Sequence, residues 1–293
     1  MKLSIIVIFY NMRREASRTL LSLSPAYQHG LPQDSYEVIA IDNGSKEPLD
    51  PESIASLGPN YRYHYHDTSS VSPAEAMNIG ADMARGENLA FIVDGARMGT
   101  PGLVSKTLTA LTLTACPFVA SLSWHLGPDI QGQSMQRGYN QETEDALLAS
   151  INWPQDGYKL FTISTIAPSC KGGFLQGVPP ECSWLALPRR VFNDIGGYDA
   201  RFQTGGGGLI NHEFRDRAMR YPSIAPVVLL GEGVFHQFHG GVATNVPTHQ
   251  LPLADFKVEY QALIGKDYKK QPHPQVTYYG NMPKVARPFT LLA

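Results

Sequence analysis

Between Leu3 and Val93 the chain repeats one alternation, an apolar β-branched run followed by a stretch at helical spacing. Leu3 to Ile8 has the composition of a strand covered on both faces. Ala16, Leu20 and Leu23 then recur at helical spacing within Glu15 to Leu23. Glu37 to Ile41 forms the next run, closing on the turn residues Asp42-Asn43-Gly44-Ser45. Tyr61 to His66 alternates Tyr and His at an edge-strand rhythm, and a helix is expected over Ala74 to Ala84, with Ser72 as N-cap and Pro73 in its first turn. Asn88 to Val93 is a further buried strand, ending on Asp94-Gly95-Ala96-Arg97. This order predicts an α/β, doubly wound, mostly parallel sheet with helices on both faces. Such sheets bind ligands outside the carboxyl ends of their strands, where Phe9-Tyr10-Asn11, Asp42 and Asp94 all fall.

The second half is less regular. Gln131 to Gly138 reads as a mobile polar loop, Cys182 to Leu187 as a strand, and Pro188-Arg189-Arg190 as the opening of a short helix ending at Ile195-Gly196-Gly197. A helix over Leu209 to Met219 follows the run Gly205 to Gly208, and Val227 to Leu230 and Val234 to Phe238 read as two short strands. The tail from Gln271 reads as an irregular strap. With no repeat or linker, residues 1–293 are expected to form one domain: a ligand-binding half over 1–125, a second half over 126–270 and the strap over 271–293.

The 293 residues, 43% of them hydrophobic, are enough for a large core. A formal net charge of -2, without a clustered basic run, gives no electrostatic reason to expect nucleic acid as a partner. Cys116, Cys170 and Cys182 are odd in number and lack a C-x-x-C pair, which argues against a disulfide framework or zinc site and for a reducing, cytoplasmic setting. The apolar start is too short to span a bilayer and lacks a cleavage-site pattern, so no transmembrane segment is expected. Nothing in the chain sets an oligomeric state.

The segments Ser4 to Asn11, Val38 to Ser45, Ala76-Met77-Asn78-Ile79-Gly80 and Ala84 to Asp94 together resemble family 2 glycosyltransferases of the GT-A fold. Trp184 to Phe192 and Ile195 to Phe202 resemble that family's acceptor-side segment, so the resemblance spans about residues 3–240. It implies transfer of a sugar from a nucleotide-sugar, UDP- or another, to a glycan or other acceptor hydroxyl, inverting and metal-assisted. On the donor side it implies Phe9, Tyr10, Asn11, Asp42 and Asn78, with Asp42 on the base or ribose. A carboxylate at a strand end can accept two hydrogen bonds from such groups; the plainer reading is a turn-forming Asp. The family's Asp-x-Asp motif holds a divalent cation, Mn²⁺ or Mg²⁺, across the diphosphate. Here that stretch is Asp94-Gly95-Ala96, with one carboxylate missing; Arg97 is a candidate for phosphate oxygens.

Several enzymes of this fold complete the metal site with a late His, and His236 and His239 are the candidates, His236 favoured as nearer the predicted strand end. Residues three apart on an ideal strand cannot both face one site, a conflict that a turn near Phe238 would relax. The family's general base aligns with Asn211, a carboxamide that cannot take a proton near neutral pH. Glu213, then His212, are the available substitutes. Gly205 to Gly208 lacks the Walker Lys-Ser/Thr and suits a flexible acceptor-side lid, and Trp184 is equally a sugar platform or core. The competing reading is a degenerate domain that binds nucleotide-sugar or glycan without turnover. A nucleotidyltransferase would need a Gly- and basic-rich loop where Phe9 to Arg14 stand.

Overall fold

The computed structural model describes residues 1–32, 34–241, 245, 246, 250, 252–269, 271 and 275–291. Its strands are β1 (Leu3–Phe9), β2 (Tyr36–Asn43), β3 (Tyr61–His66), β4 (Asn88–Ile92), β5 (Arg97–Gly99), β6 (Pro117–Leu126), β7 (Ser164–Ile166), β8 (Leu185–Pro188), β9 (Ala225–His236) and β10 (Thr277–Gly280). The helices are α1 (Arg13–Ser22), α2 (Pro51–Ala55), α3 (Ala74–Met83), α4 (Leu103–Ala110), α5 (Gln131–Ser134), α6 (Gln141–Ser150), α7 (Arg189–Asp194), α8 (Ile210–Met219) and α9 (Leu253–Ile264).

All ten strands lie in one sheet, ordered β10-β9-β6-β8-β4-β1-β2-β3, with β5 on β9 and β7 on β6. β1, β2, β3 and β4 pair in parallel, as do β6, β9 and β10. β8 runs antiparallel between β4 and β6 and joins the two parallel blocks.

Period-2 alternation divides the core between the faces. Ile6, Ile8, Ile39, Ile41 and Phe91 pack with Ala74 and Met77 of α3, Phe192 of α7 and Phe214 of α8. Leu3, Ile5, Val7, Phe9, Val38 and Ala40 pack with Ala16 and Leu20 of α1, Ile54 of α2 and Leu103 and Val104 of α4. Burying both faces is why these strands read as continuous apolar runs.

The chain beyond β4 departs from the sequence expectation at several points: α6 and α9 were not expected, and the tail is not an irregular strap but adds β10 in parallel to β9 and ends in a 3-10 helix over Lys284–Phe289. β6 is a fully buried ten-residue strand at the centre of the sheet, where no element was expected. Its pattern is broken by buried Ser121 and Ser123. Gln131 to Gly138 is a helical turn rather than a mobile loop: α5 continues into a 3-10 turn over Met135–Arg137, and Gln131 is fully buried. The two expected strands near 227–238 are one, β9. Gly231 has φ 74 and marks a bulge, and a Cβ there would lie 2.1 Å from the Asn281 carbonyl oxygen. Pro73 is the cap residue of α3 rather than part of its first turn, and Ser72 Oγ accepts from Ala74 N at 3.3 Å. Among the described residues no helix is long and apolar enough to cross a membrane.

Candidate functional site

A pocket of about 370 Å³ opens at the carboxyl ends of β1, β2 and β4. The wall that carries Asp94 is built on three adjacent backbones. β4 runs out at Ile92, and Gly95 folds back so that its N–H donates to the Ile8 carbonyl at 2.8 Å. A Cβ at Gly95 would lie 2.4 Å from the Phe9 ring, so glycine alone lets the chain pass this close. Thr19 Oγ1 donates to Gly95 O at 2.6 Å, and Ala96 N donates to Asp94 Oδ1 at 3.2 Å. These contacts project Asp94 into the pocket. Ala96, where the family's second carboxylate would stand, is fully buried in the apolar cluster of the α1 face.

β5 places Arg97 directly opposite His236, the last residue of β9, and β6 places His125 on its other side. Beyond His236 the strand ends, and the turn expected near Phe238 is present. Gln237 N donates to the Ala96 carbonyl, Phe238 N to Glu144 Oε2 at 2.7 Å, and His239 N to Asn245 Oδ1 at 3.0 Å. Both imidazoles therefore reach Asp94. His236 Nε2 is 2.8 Å from Asp94 Oδ2, His239 Nε2 is 3.6 Å from Asp94 Oδ1, and the two Nε2 atoms are 3.2 Å apart. Arg97 Nη2 lies 3.4 Å from Asp94 Oδ2 and 3.9 Å from Glu181 Oε1.

Among the described residues this trio is the group placed to hold a metal ion, its ligand atoms all within 4.8 Å of one another. Neighbouring ligands of a six-coordinate cation with bonds of about 2.1 Å are about 3 Å apart, which matches two of these three separations. The electrostatics agree. Burial pushes the His236 imidazole down to about 4 despite the pull of Asp94, so it is neutral at neutral pH, as a ligand must be. Burial raises the Asp94 carboxyl, but His236, His239 and Arg97 outweigh it and hold it well below the usual carboxylate range. His125 is likewise held neutral by burial, and its Nδ1 accepts from Gln131 N at 3.1 Å.

The wall that carries Asn211 is built differently. Val71, Pro73, Ser183, Gly205, Gly206 and Asn211 line it, and Glu181 lines the pocket 3.9 Å from Arg97. Gly206, Gly207 and Gly208 all have positive φ, so the run ahead of α8 adopts a path that other residues would resist. Asn211 Oδ1 is buried at the pocket without a hydrogen-bond partner. Asp94 and Glu181 are the pocket's carboxylates among the described residues.

Of the residues expected in the site, the structure brings together Tyr10, Asn11, Asp94, Arg97 and His239 in the lining, with His236 directly behind. Asn11 has φ 53 and accepts from Lys46 N, tying the exit of β1 to that of β2. Five others stand elsewhere. Phe9 is fully buried in the α1 face and acts by packing under Gly95. Asp42, its register partner, is also fully buried, with Oδ1 accepting from Ser45 N at 3.1 Å and Oδ2 from Leu49 N at 2.8 Å. It holds the turn, while its neighbour Asn43 lines the pocket. Asn78 clamps Tyr198, donating to its carbonyl and accepting from its amide at 2.8 and 2.9 Å. Glu213 is buried outside the lining, both oxygens taken by Arg217 at 2.6 and 2.7 Å. His212 Nδ1 meets the Tyr268 hydroxyl at 2.8 Å, also outside it. Trp184 is fully buried and donates to Thr107 Oγ1, which makes it core rather than a sugar platform.

Sequence reasoning missed Asn43, Glu181, His125 and Gln131. Alternation along β2 could have indicated Asn43, since Ile39 and Ile41 share its face; nothing local marks Glu181.

Comparison with known proteins agrees with this architecture. Residues 4–94 match the model of glycosyl transferase family 2, and no curated protein matches the chain in sequence. Among solved structures, S. aureus TarS 1-349 in complex with UDP-GlcNAc is 14% identical with a TM-score of 0.56, over 92% of this chain and 68% of that one. The mannosyltransferase PcManGT from Pyrobaculum calidifontis, in complex with GDP-Man and Mn²⁺, is 14% identical with a TM-score of 0.56, over 92% of this chain and 66% of that one. S. aureus TarS is 13% identical with a TM-score of 0.54, and this chain spans 41% of its length. At these identities the likeness establishes the fold, which is GT-A.

Proposed function

From a GT-A fold whose residues 4–94 carry the family 2 glycosyltransferase pattern, we propose that this chain moves a sugar from a nucleoside-diphosphate sugar to an acceptor hydroxyl, with inversion. The observation that carries this reading is the convergence of Asp94, His236 and His239 beside Arg97 at the carboxyl ends of the strands. Neighbours of the same fold bind UDP-GlcNAc, or GDP-Man with Mn²⁺. We extend the proposal to a cytoplasmic location, which suits the buried free thiols Cys116, Cys170 and Cys182, and to polysaccharide synthesis, which rests on the glycosyltransferase reading alone.

Asp94, His236 and His239 would hold a divalent cation, and two imidazoles stand in for the missing second carboxylate. Bound there, Mn²⁺ or Mg²⁺ offsets the negative charge that grows on the leaving diphosphate. Arg97 adds a fixed cation to the same wall and meets phosphate oxygens. Tyr10, Asn11 and Asn43 flank the donor nucleotide. Glu181, which lines the pocket 3.9 Å from Arg97, takes the proton of the acceptor hydroxyl, because it is the pocket carboxylate not committed to the His pair. Asn211 positions the acceptor through its amide, and the Gly205 to Gly208 run closes over it.

A second reading, binding without turnover, is favoured by the carboxamide of Asn211 at the seat of the family's base. Turnover assays across a panel of UDP-, GDP-, CDP- and dTDP-sugars with Mn²⁺ separate the two. Release of diphosphate from any donor supports the enzyme. Tight diphosphate binding with no turnover supports the second reading, and no binding at all overturns both.

A further inference from the structure

Behind the Asp94–His236–His239 cluster lies a hydrogen-bond chain that the proposed chemistry has not used. Asn245 Oδ1 accepts three backbone N–H groups, from His239, Gly240 and Gly241, at 3.0, 2.9 and 3.0 Å. That fixes the orientation of the Asn245 amide, so its Nδ2 is the atom that faces Gln131, donating to Oε1 at 2.9 Å. The Gln131 amide is fixed from its other end as well, since Nε2 donates to the His236 carbonyl at 2.9 Å. Gln131 Oε1 is therefore an acceptor, and it lies 2.6 Å from His236 Nδ1. Only an N–H can meet it there. Gln131 is fully buried, and the shortness of this contact gives it weight.

We infer that Gln131, braced by Asn245, is a positioning residue that fixes the His236 proton on Nδ1 and so keeps Nε2 as a lone pair aimed at Asp94 and His239. The inference rests on the proposed cation site. A carboxylate 2.8 Å from Nε2 would otherwise attract the proton to that nitrogen, where it would block ligation. Gln131 opposes that pull from the far side of the ring. The same amide pair holds His239 by its backbone, so one buried unit sets both imidazoles. Outer partners that orient a ligating imidazole typically change metal affinity by about 10–100-fold when removed.

The test is nitrogen-15 NMR of the histidine side chains in the metal-free chain, followed by titration with MnCl₂ alone. In the parent protein Nδ1 of His236 carries hydrogen, and added Mn²⁺ broadens the His236 and His239 ring signals first. Gln131→Leu is expected to move the His236 proton to Nε2 and to weaken Mn²⁺ binding by about 10–100-fold. Gln131→Glu keeps an acceptor and is expected to retain the parental tautomer, which a merely space-filling role would not require. If Gln131→Leu does not fold, Asn245→Ala serves: the His236 tautomer is expected to persist while the His239 signal alone shifts. A parent protein with the His236 proton on Nε2 overturns the inference, as does Gln131→Leu with an unchanged tautomer. If the parental proton is on Nδ1 but Mn²⁺ broadens neither ring, the tautomer assignment stands and the cation site of the proposed function fails.

Discussion

The two walls of the pocket are made by opposite means. At the Asp94–His236–His239 cluster each member is held by a further group: Asp94 by the Ala96 amide, His236 by Gln131 and His239 by Asn245, with the Phe238 amide between them held by Glu144. On the wall that carries Asn211 the path is set by glycines with positive φ, and the Asn211 carboxamide oxygen is left without a partner. A diphosphate–metal unit has one charge distribution and rewards a preformed frame. An acceptor must enter, be deprotonated and leave as a longer product, which suits a wall whose groups await a partner.

The largest expected effect falls on Glu181. Glu181→Gln should lower turnover by on the order of 100-fold or more while leaving diphosphate affinity unchanged, as for loss of a general base. Equal rates, measured with saturating donor, would remove Glu181 from the chemistry and assign the general base to another group.

Away from the pocket, Glu232 of β9 gives the fold a pH signature of its own. Burial raises the Glu232 carboxyl to about 7, against hydrogen bonds from Thr100 and Tyr158 that lower it. A raised carboxyl contributes stability that is complete below its unfolded pKa, about 4.3, and is lost as pH rises through 7. Denaturant unfolding at pH 5 and pH 8 should show a loss of up to about 3 kcal/mol from this group. Glu232→Gln, a neutral isostere, should abolish that part of the slope.

Arg97→Ala should weaken diphosphate binding about 10- to 30-fold, or ~1.4–2 kcal/mol, in Mn²⁺ and in EDTA alike. Calorimetry checks it. An effect seen only with metal would mean that Arg97 serves the cation site rather than phosphate. The smallest effect belongs to α8. Glu213→Gln should lower stability by about 1–2 kcal/mol through its Arg217 pair and leave turnover intact. A collapse of kcat in a folded protein would restore it as the base.

The helix that misleads here shows how far a sequence carries. Successive residues of a helix are about 100° apart, so only one of Asn211, His212 and Glu213 can face the pocket. Motif order reaches the helix but not its phase. Two signals set that phase: Ile210, Phe214 and Ala218 mark the core stripe, and Glu213 and Arg217 stand at the spacing of an ion pair. Strand ends behave alike. The ends of β1 and β2 are where the sequence places them, yet Phe9 and Asp42 turn to the α1 face, while Ile8 and Asn43 turn to the pocket. A one-residue step in a strand changes the face. Asp94 and the His pair were legible because a carboxylate and two imidazoles at strand ends have few uses apart from each other. Glu181 and Gln131 were not: Glu181 lies in the irregular stretch before β8 and Gln131 heads the short helix α5 after β6, strands whose place in the sheet no local pattern reveals.

The account stands on the donor wall being a cation–diphosphate site. Its most direct test is calorimetry of UDP and GDP with the parent chain and with Asp94→Ala, each in Mn²⁺ and in EDTA. The expected result is binding of at least one diphosphate by the parent, weakened on the order of 100-fold by either EDTA or Asp94→Ala, with no further loss when both are combined. Binding that is equal in Mn²⁺ and EDTA, or a loss on Asp94→Ala that persists undiminished in EDTA, would contradict it.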